Sequence, residues 1–426
     1  MAGNQSFQKE RAALRIFINE LRKIWNWRIL SLIAAFALLV WFAFLSEALS
    51  SYDSLRTHGI YGSYQTEMFE RYGDTLEPEE LADYDIPGKK AAIVAKLDAI
   101  IASEAIFAEH QIHNFSEFQS FPSFDTDNMD EAERNKLSDA LSVMQGKLSH
   151  ASDTQTLDEW YASPLIQMQT LTALEYTYAD YESSLRSYIE QDERSVVVRA
   201  AEQILHMQNN SLIHYDLTST FSLYAAIVGV FCTIAVIILV APLLTTDRMQ
   251  KVNLLQYSSS IGRKIVGIQL TATIVSSLAL SFMLIAAAFT PFLLAGAGDY
   301  WNTKIISFSS YSIVLYNLTF GQYTLALAGM ILLLGTSAGC FVFVLARFST
   351  NVMTLLVKTV PAGVGLTAIA MLSIHMAFSN NNYIFNSVFK GDVTAPEMIV
   401  CSIAAVAGII TSALVSLREK RTEHLL

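Results

Sequence analysis

Hydrophobic residues run almost unbroken through six stretches of this chain, at 29–49, 222–244, 265–294, 323–346, 352–378 and 398–417. Each has about 20 residues or more, the length an α-helix needs to cross roughly 30 Å of hydrocarbon. They predict six membrane spans. Lys358 stands near the start of the fifth, where its long stem can carry the ammonium to the interface. Between the first and second stretches the pattern turns periodic. In IPGKKAAIVAKLDAIIASEAIFAEH, apolar residues fall at 93, 94, 97, 100, 101 and 106, near the repeat of an amphipathic helix, with Pro87 and Gly88 at its start. SPLIQMQTLTALEYTYADYESSLRSYIEQ repeats the habit through Leu165, Met168, Leu171, Leu174 and Tyr178. Residues 192–212 read as another helix leading down into the second span, and FSEFQSFPSFDTDNMDEAE as a loop followed by a helix start. The predicted fold class is an all-α membrane protein, with six transmembrane helices and a mainly helical extracytoplasmic domain between the first and second.

Charge sharpens this division. The 426-residue chain is 52% hydrophobic and only 16% charged, well below the roughly 25% usual in soluble domains. Residues 46–218 hold 31 acidic and 11 basic side chains, a net of −20, against +9 for the remainder and −11 overall. Lys9, Arg11, Arg15, Arg22, Lys23 and Arg28 precede the first span, and Arg248, Lys251, Arg263 and Lys264 separate the second from the third. Arg347 follows the fourth, and Arg418, Lys420 and Arg421 follow the sixth. The opposite short loops hold only Lys304 and Lys390. The positive-inside rule places both termini in the cytoplasm. The expected divisions are a cytoplasmic leader helix at 1–28, the first span at 29–49 and an acidic outer domain at 50–218. Five further spans follow within 219–417, interrupted by a cytoplasmic link at 246–264, and a tail occupies 418–426. The basic leader and the lack of a cleavage site make the first span a retained anchor rather than a signal peptide. Residues 295–322 form a second, aromatic- and serine-rich outer element, expected on the membrane surface or on the acidic domain, and 379–397 a shorter excursion.

Motifs for chemistry are missing. The chain has no G-x-x-x-x-G-K-[ST], H-E-x-x-H or C-x-x-C. Cys232, Cys340 and Cys401 all lie in apolar runs, as packing residues do, and none is in the acidic region. His110 and His113 are three apart with no third ligand near them in sequence, so a solvated helix edge explains them better than a metal. No Asp, Glu, Lys or Arg stands deep in a span. That disfavours a proton relay or a charged pore, because ionisable groups in lipid mark such paths. His375, in IAMLSIHMAFS near the outer end of the fifth stretch, is the one ionisable candidate. An interfacial or helix-packing role suits it, with a substrate contact as the alternative.

The link DRMQKVNLLQYSSSIGRK, 247–264, holds the most specific pattern. Thr245 or Thr246 can cap a helix start with Asp247 beside the amide dipole, Val252, Leu254, Leu255 and Ile261 supply an apolar side, and Ser258–Ser260 can end it. A short amphipathic helix held between two spans is suited to docking in a groove on another protein. Asp247, Arg248, Lys251, Leu254, Leu255, Ser259, Gly262 and Arg263 in this arrangement resemble the link after the second span in permease subunits of ABC transporters of the second exporter class. Lys251 departs from that pattern, which has Gly four residues after the acidic position. The basic leader resembles that family's amphipathic helix, with Arg15, Arg22 and Lys23 at the surface and Phe17 and Leu21 on its apolar side.

The resemblance implies a coupling helix that seats in a separate ABC ATPase subunit, which binds the ATP and Mg. This chain would bind no cofactor of its own and catalyse nothing. It also implies a second permease copy or a sister permease, a plasma-membrane location in a bacterium, and export of an amphipathic peptide, drug or lipid-like substrate. No nucleic-acid partner is expected. A sensor whose outer helical domain signals to a cytoplasmic partner is the alternative.

Overall fold

The structure is a computed structural model that describes residues 14–57, 60–121, 131–150, 156–192, 194–249, 265–309, 312–389 and 392–421. Six helices are long and apolar enough to cross a membrane: Trp27–Arg56, Leu217–Pro242, Ile265–Leu294, Phe320–Arg347, Val352–Ile374 and Pro396–Glu419. The chain is a multi-span helical membrane protein. The residues before the first span lie with the far end of the sixth, at what we term the basic end; the inserted domain marks the other.

The spans divide into centre and periphery. The second and fourth have 67% of their apolar windows buried by the rest of the chain and the third 50%, whereas the first, fifth and sixth have 17%, 28% and 22%. Water drives apolar surfaces together, but lipid does not, so spans associate through close packing and polar contacts. Here the third and fourth spans meet through Ser277 and Ser281 on one helix and Gly335 and Gly339, also four apart, on the other. A methyl group at Gly335 would lie 2.2 Å from Ser281 Oγ, and one at Gly339 2.1 Å from Ser277 Oγ. Neither helix could approach so closely with a larger residue there. Ser337 Oγ donates to the Ala404 carbonyl at 2.8 Å, joining the fourth span to the sixth. Local sequence sets the helix ends. Thr319 and Gln322 cap the fourth span reciprocally, Asn351 accepts from Thr354 N at the fifth, and Asn26 accepts from Arg28 N at the first. Lys358 Nζ donates to the Phe348 carbonyl at 2.6 Å, which satisfies the end of the fourth span.

The segment between the first two spans is helical, as predicted. Its larger core gathers Ile93, Leu97 and Ile101 from Ile86–Ser103 with Leu171 and Leu174 from Pro164–Tyr178. Asp85, in a left-handed conformation at φ 50°, ends one helix and caps the next by accepting from Gly88 N at 3.0 Å. Two local expectations change. The stretch expected as a loop contains a helix, Phe115–Ser120, because Asn114 accepts from Glu117 N while the Glu117 carboxylate accepts from His113 N. The helix expected over 192–212 spans Ser195–Met207 and stops there. Gln208 and Asn209 turn left-handed, and the buried Asn209 amide bonds Thr177 O, Phe308 O and Phe308 N, serving distant backbone rather than its own helix.

Those Phe308 bonds place the second outer element. Among the described residues it contains the only strands, Phe308–Ser309 paired antiparallel with Ser312–Ile313. Its Ile306, Phe308, Ile313 and Leu315 pack against Val197, Ala201 and Ile204, so it joins the inserted domain. The fifth span ends at Ile374, short of the expected 378, because Met376 and Phe378 take left-handed conformations. The carboxylate of Glu397, buried at the head of the sixth span, accepts from Phe378 N and Asn382 Nδ2, each at 3.4 Å, and pins that turn.

The contact between the third and fourth spans leads to a double-mutant prediction. Gly339→Ala should destabilise the protein by about 1–3 kcal/mol through overpacking. Adding Ser277→Ala should restore part of the loss, because the hydroxyl nearest the new methyl is gone. Thermal unfolding of the four proteins in detergent measures the coupling, and strictly additive effects would mean the two helices do not meet at this point.

Candidate functional site

At the basic end, residues 14–24 form a helix. Its inner side carries Ile16, Phe17 and Leu21, partly buried, and Ile24, fully buried, against the core of the spans. Leu14, Arg15, Ile18, Arg22 and Lys23 are exposed. The periodic apolar side therefore exists, but an acid lies in the middle of it. Glu20 is only 2% exposed. A carboxylate out of water needs partners, or burial would cost several kcal/mol.

One partner comes from the same helix and one from the third span, which leads on to the fourth and sixth. Lys23 Nζ bonds Glu20 Oε1 at 2.8 Å from the same helix. Gln269 Nε2, from the second turn of the third span, donates to Glu20 Oε2 at 3.2 Å. The Gln269 carbonyl oxygen accepts from Arg347, the last residue of the fourth span. Arg347 also faces Glu419 of the sixth span, at 3.5 Å, and lies 5.2 Å from the centre of the Phe343 ring. Nearby, Trp25 Nε1 donates to Ser276 Oγ at 3.0 Å. The result is a chain of alternating charge and amide, Lys23–Glu20–Gln269–Arg347–Glu419, that clasps the leader helix to the ends of three spans.

Gln269 lies five residues beyond Lys264, where the charged link ends. It bonds the leader through Glu20 on one side and, through Arg347, connects to the fourth and sixth spans on the other.

Lys251, Leu254, Leu255, Ser259, Gly262 and Arg263 lie outside the described residues. Asp247 and Arg248 fall on the helix Leu217–Met249, with their side chains outside the description. That helix runs on through Thr245 and Thr246, so the fresh start expected there is not formed. His375 caps the fifth span rather than sitting within it. It is half-buried, and burial holds its imidazole below its ordinary value. The structure does not bring it near the clasp, which is at the other end of the spans.

Sequence reading missed Glu20, Gln269 and the Arg347–Glu419 pair. The signals were present but faint: an acid on the apolar side of the leader and a lone amide in the first turns of an apolar helix. In the sequence Arg347 reads only as an orientation charge.

A second polar group closes the domain end. Arg56, last in the first span, lies 3.9 Å from Asp53 and 4.0 Å from Asp299. A methyl at Gly296, which has φ 103°, would strike its guanidinium, so the loop passes directly over it. His214 is buried beside Arg56 and against Tyr52, with ring centroids 5.8 Å apart. Burial, the larger cause, and the Arg56 charge hold His214 down to about 4, while a bond to the Leu55 carbonyl opposes them. Gly62 leaves the room for this: a methyl there would sit 2.2 Å from Leu55 O and 2.4 Å from His214 Nε2.

Among the described residues no group of His, Cys, Asp and Glu could hold a metal ion. No family model, no curated protein and no solved structure matches the chain. Two outcomes test the polar groups. Glu20→Leu should free the leader, with amide exchange over 14–24 faster by about tenfold, from a loss on the order of 1–3 kcal/mol. Glu20→Gln should do less, and equal exchange in wild type and Glu20→Leu would show that the clasp holds nothing. His214 binds a proton more readily unfolded, near about 6.5, than folded. Its contribution is therefore complete above that value and is lost as pH falls toward 4, about 2 kcal/mol between pH 7 and 5. Unfolding temperature in wild type should fall over that range, and His214→Gln should remove that part of the slope.

Proposed function

We propose that this chain is the membrane-spanning permease subunit of an ATP-driven ABC exporter, with both ends in the cytoplasm and the acidic helical domain outside. A separate ATPase subunit binds ATP and Mg and grips the link at 246–264. A second permease copy or a sister permease completes the assembly. The cargo is amphipathic, a peptide, drug or lipid-like molecule, moved by alternating access in a plasma membrane.

The observation that supports this most is the clasp. An engine on the basic side needs a rigid connection between the element it pulls and several spans at once. Gln269, close behind the link and bonded to Glu20 and Arg347, is placed to be that connection. The link sequence, with Leu254 and Leu255 among charged and polar residues, has the pattern of an amphipathic helix suited to a groove on the ATPase. Six spans with basic residues at one end and, at the other, a segment 46–218 of net charge −20 suit the stated orientation.

Co-purification tests the reading directly. The tagged chain, expressed in its own cell, should bring down a P-loop ATPase. Leu254→Asp and Leu255→Asp should each weaken that association or uncouple ATP hydrolysis from transport, with membrane insertion unchanged. A chain that purifies with no ATPase, or two variants that transport like wild type, would remove the basis for this function.

A further inference from the structure

We propose that Glu397 and Ser373 form a binding site for one alkali-metal ion, Na+ or K+, between the outer ends of the fifth and sixth spans. This goes beyond the exporter reading and does not depend on it. Glu397, the second residue of the sixth span, is only 2% exposed. Its Oε1 accepts from Phe378 N and from Asn382 Nδ2, but both bonds measure 3.4 Å, past the usual limit of about 3.2 Å. Its Oε2 is buried with no hydrogen-bond partner, and among the described residues no Lys, Arg or His pairs with it. The first turn of a helix favours an acid, yet it repays only part of the cost of burying an unpaired charge. A cation is the partner that this carboxylate lacks.

A second free oxygen comes from the fifth span. Ser373 is wholly buried and its Oγ has no partner, whereas Thr359 of the same span bonds the carbonyl one turn back. Asn382 brings the two spans together. Its Nδ2 lies 3.4 Å from the Leu372 carbonyl and 3.4 Å from Glu397 Oε1, so the carboxylate stands within two hydrogen-bond lengths of the residue before Ser373. Leu372 belongs to the last turn of the fifth span, where helix carbonyls carry partial negative charge and also favour a cation.

The turn that wraps this place is fixed and strained. Met376 and Phe378 hold left-handed conformations at φ 54° and 63°. Such strain persists only where surroundings enforce it, and it gathers at functional sites. Here Met376 N donates to Ser222 Oγ at 3.1 Å, and Asn380 exchanges bonds with Ile313 of the outer hairpin at 3.0 and 3.1 Å. Charge then selects the ion. Glu397 supplies one negative charge, and among the described residues no group of three His, Cys, Asp or Glu exists. A divalent ion would leave a net positive charge out of water, which is costly. Oxygen donors of this kind suit hard cations, not soft ones. One monovalent ion balances the carboxylate.

The test is thermal unfolding of the full chain in nanodiscs at constant ionic strength, with NaCl or KCl replacing choline chloride. Wild type should gain about 2 °C for each tenfold rise in the bound ion once the site fills. Glu397→Gln keeps an acceptor for Phe378 N and Asn382 Nδ2 but removes the charge, and should unfold at one temperature in all three salts. Ser373→Ala should raise the concentration giving half the effect by about tenfold, the scale of one bond to a charged group. Equal unfolding temperatures for wild type in the three salts would overturn the site. So would a salt response that survives in Glu397→Gln, since the ion would then bind elsewhere. Stabilisation of wild type by acid alone, with no effect of Na+ or K+, would show that a proton neutralises Glu397 and would overturn the metal-ion site. Should Glu397→Gln not fold, the wild-type comparison and Ser373→Ala still decide. No arm involves an ATPase, so this result and the exporter reading stand or fall separately.

Discussion

The bilayer gives helices no hydrophobic reason to associate, and the arrangement of this protein follows from that constraint. Its spans need contacts that lipid cannot imitate. At the centre these are approaches that only glycine and serine permit, Gly335 on Ser281 and Gly339 on Ser277. The second and fourth spans are consequently the most buried, and the first, fifth and sixth keep most of their surface for other neighbours. Toward the domain end the contacts become aromatic. Phe221 of the second span meets Phe289 and Phe292 of the third and Phe320 of the fourth at ring separations of 5.0, 5.1 and 5.3 Å.

Among the described residues the charged and amide groups are kept to the two ends, where they do different work. At the basic end they form a connected chain whose members belong to the leader and three spans. At the domain end they form fixed points: Glu397 pins one turn, Asn209 fastens the outer hairpin and Arg56 lies beneath the Gly296 loop. The inserted domain is thereby tied to the outer hairpin as well as to the two spans it interrupts. Arg194, within that domain, also donates to the Asn380 carbonyl at 3.4 Å, which extends the tie to the turn before the sixth span. A pull on the third span at the basic end would reach a firmly braced structure at the other.

Much of this architecture was legible in the sequence, and the reason is physical. Unbroken apolar runs have few alternatives to spanning, so all six spans were found with ends correct to within a few residues, apart from the first, which extends to Arg56. The helices of the inserted domain were legible from periodicity, since Ile93, Leu97 and Ile101 repeat at helical spacing and are all buried. Apart from the helix Phe115–Ser120, which Asn114 and Glu117 cap locally, what failed was set by distant partners. The helix stop at Met207 depends on Phe308 accepting and donating to Asn209, some hundred residues away, and no local pattern records that. Glu20 was hidden for a similar reason: an acid on an apolar helix side reads as a flaw until Gln269 is known to face it. The Gly335–Gly339 spacing stands in the sequence, but glycines in an apolar run do not announce which helix they approach.

The first span unites these themes. It is the least buried of the six, yet it is held at both of its ends. Before it, Trp25 bonds Ser276 and Glu20 bonds Gln269. At its outer end Tyr52 stacks on Phe292, with centroids 4.9 Å apart, and Arg56 lies under the 296–299 loop. All four of those fixings are to the third span or the segment that directly follows it. A helix fastened at both ends to one neighbour and loosely packed between can change its separation from that neighbour only by bending in the middle. The middle is where Trp41–Leu45 forms its π turn and where Ala34 and Ala37 line a groove. A π turn breaks the regular hydrogen-bond ladder and is among the recognised causes of helix bending. Displacement of the third span by its link would thus be felt first as a change in the width of that groove. This connects the basic end to the membrane face of the protein without requiring the domain to move.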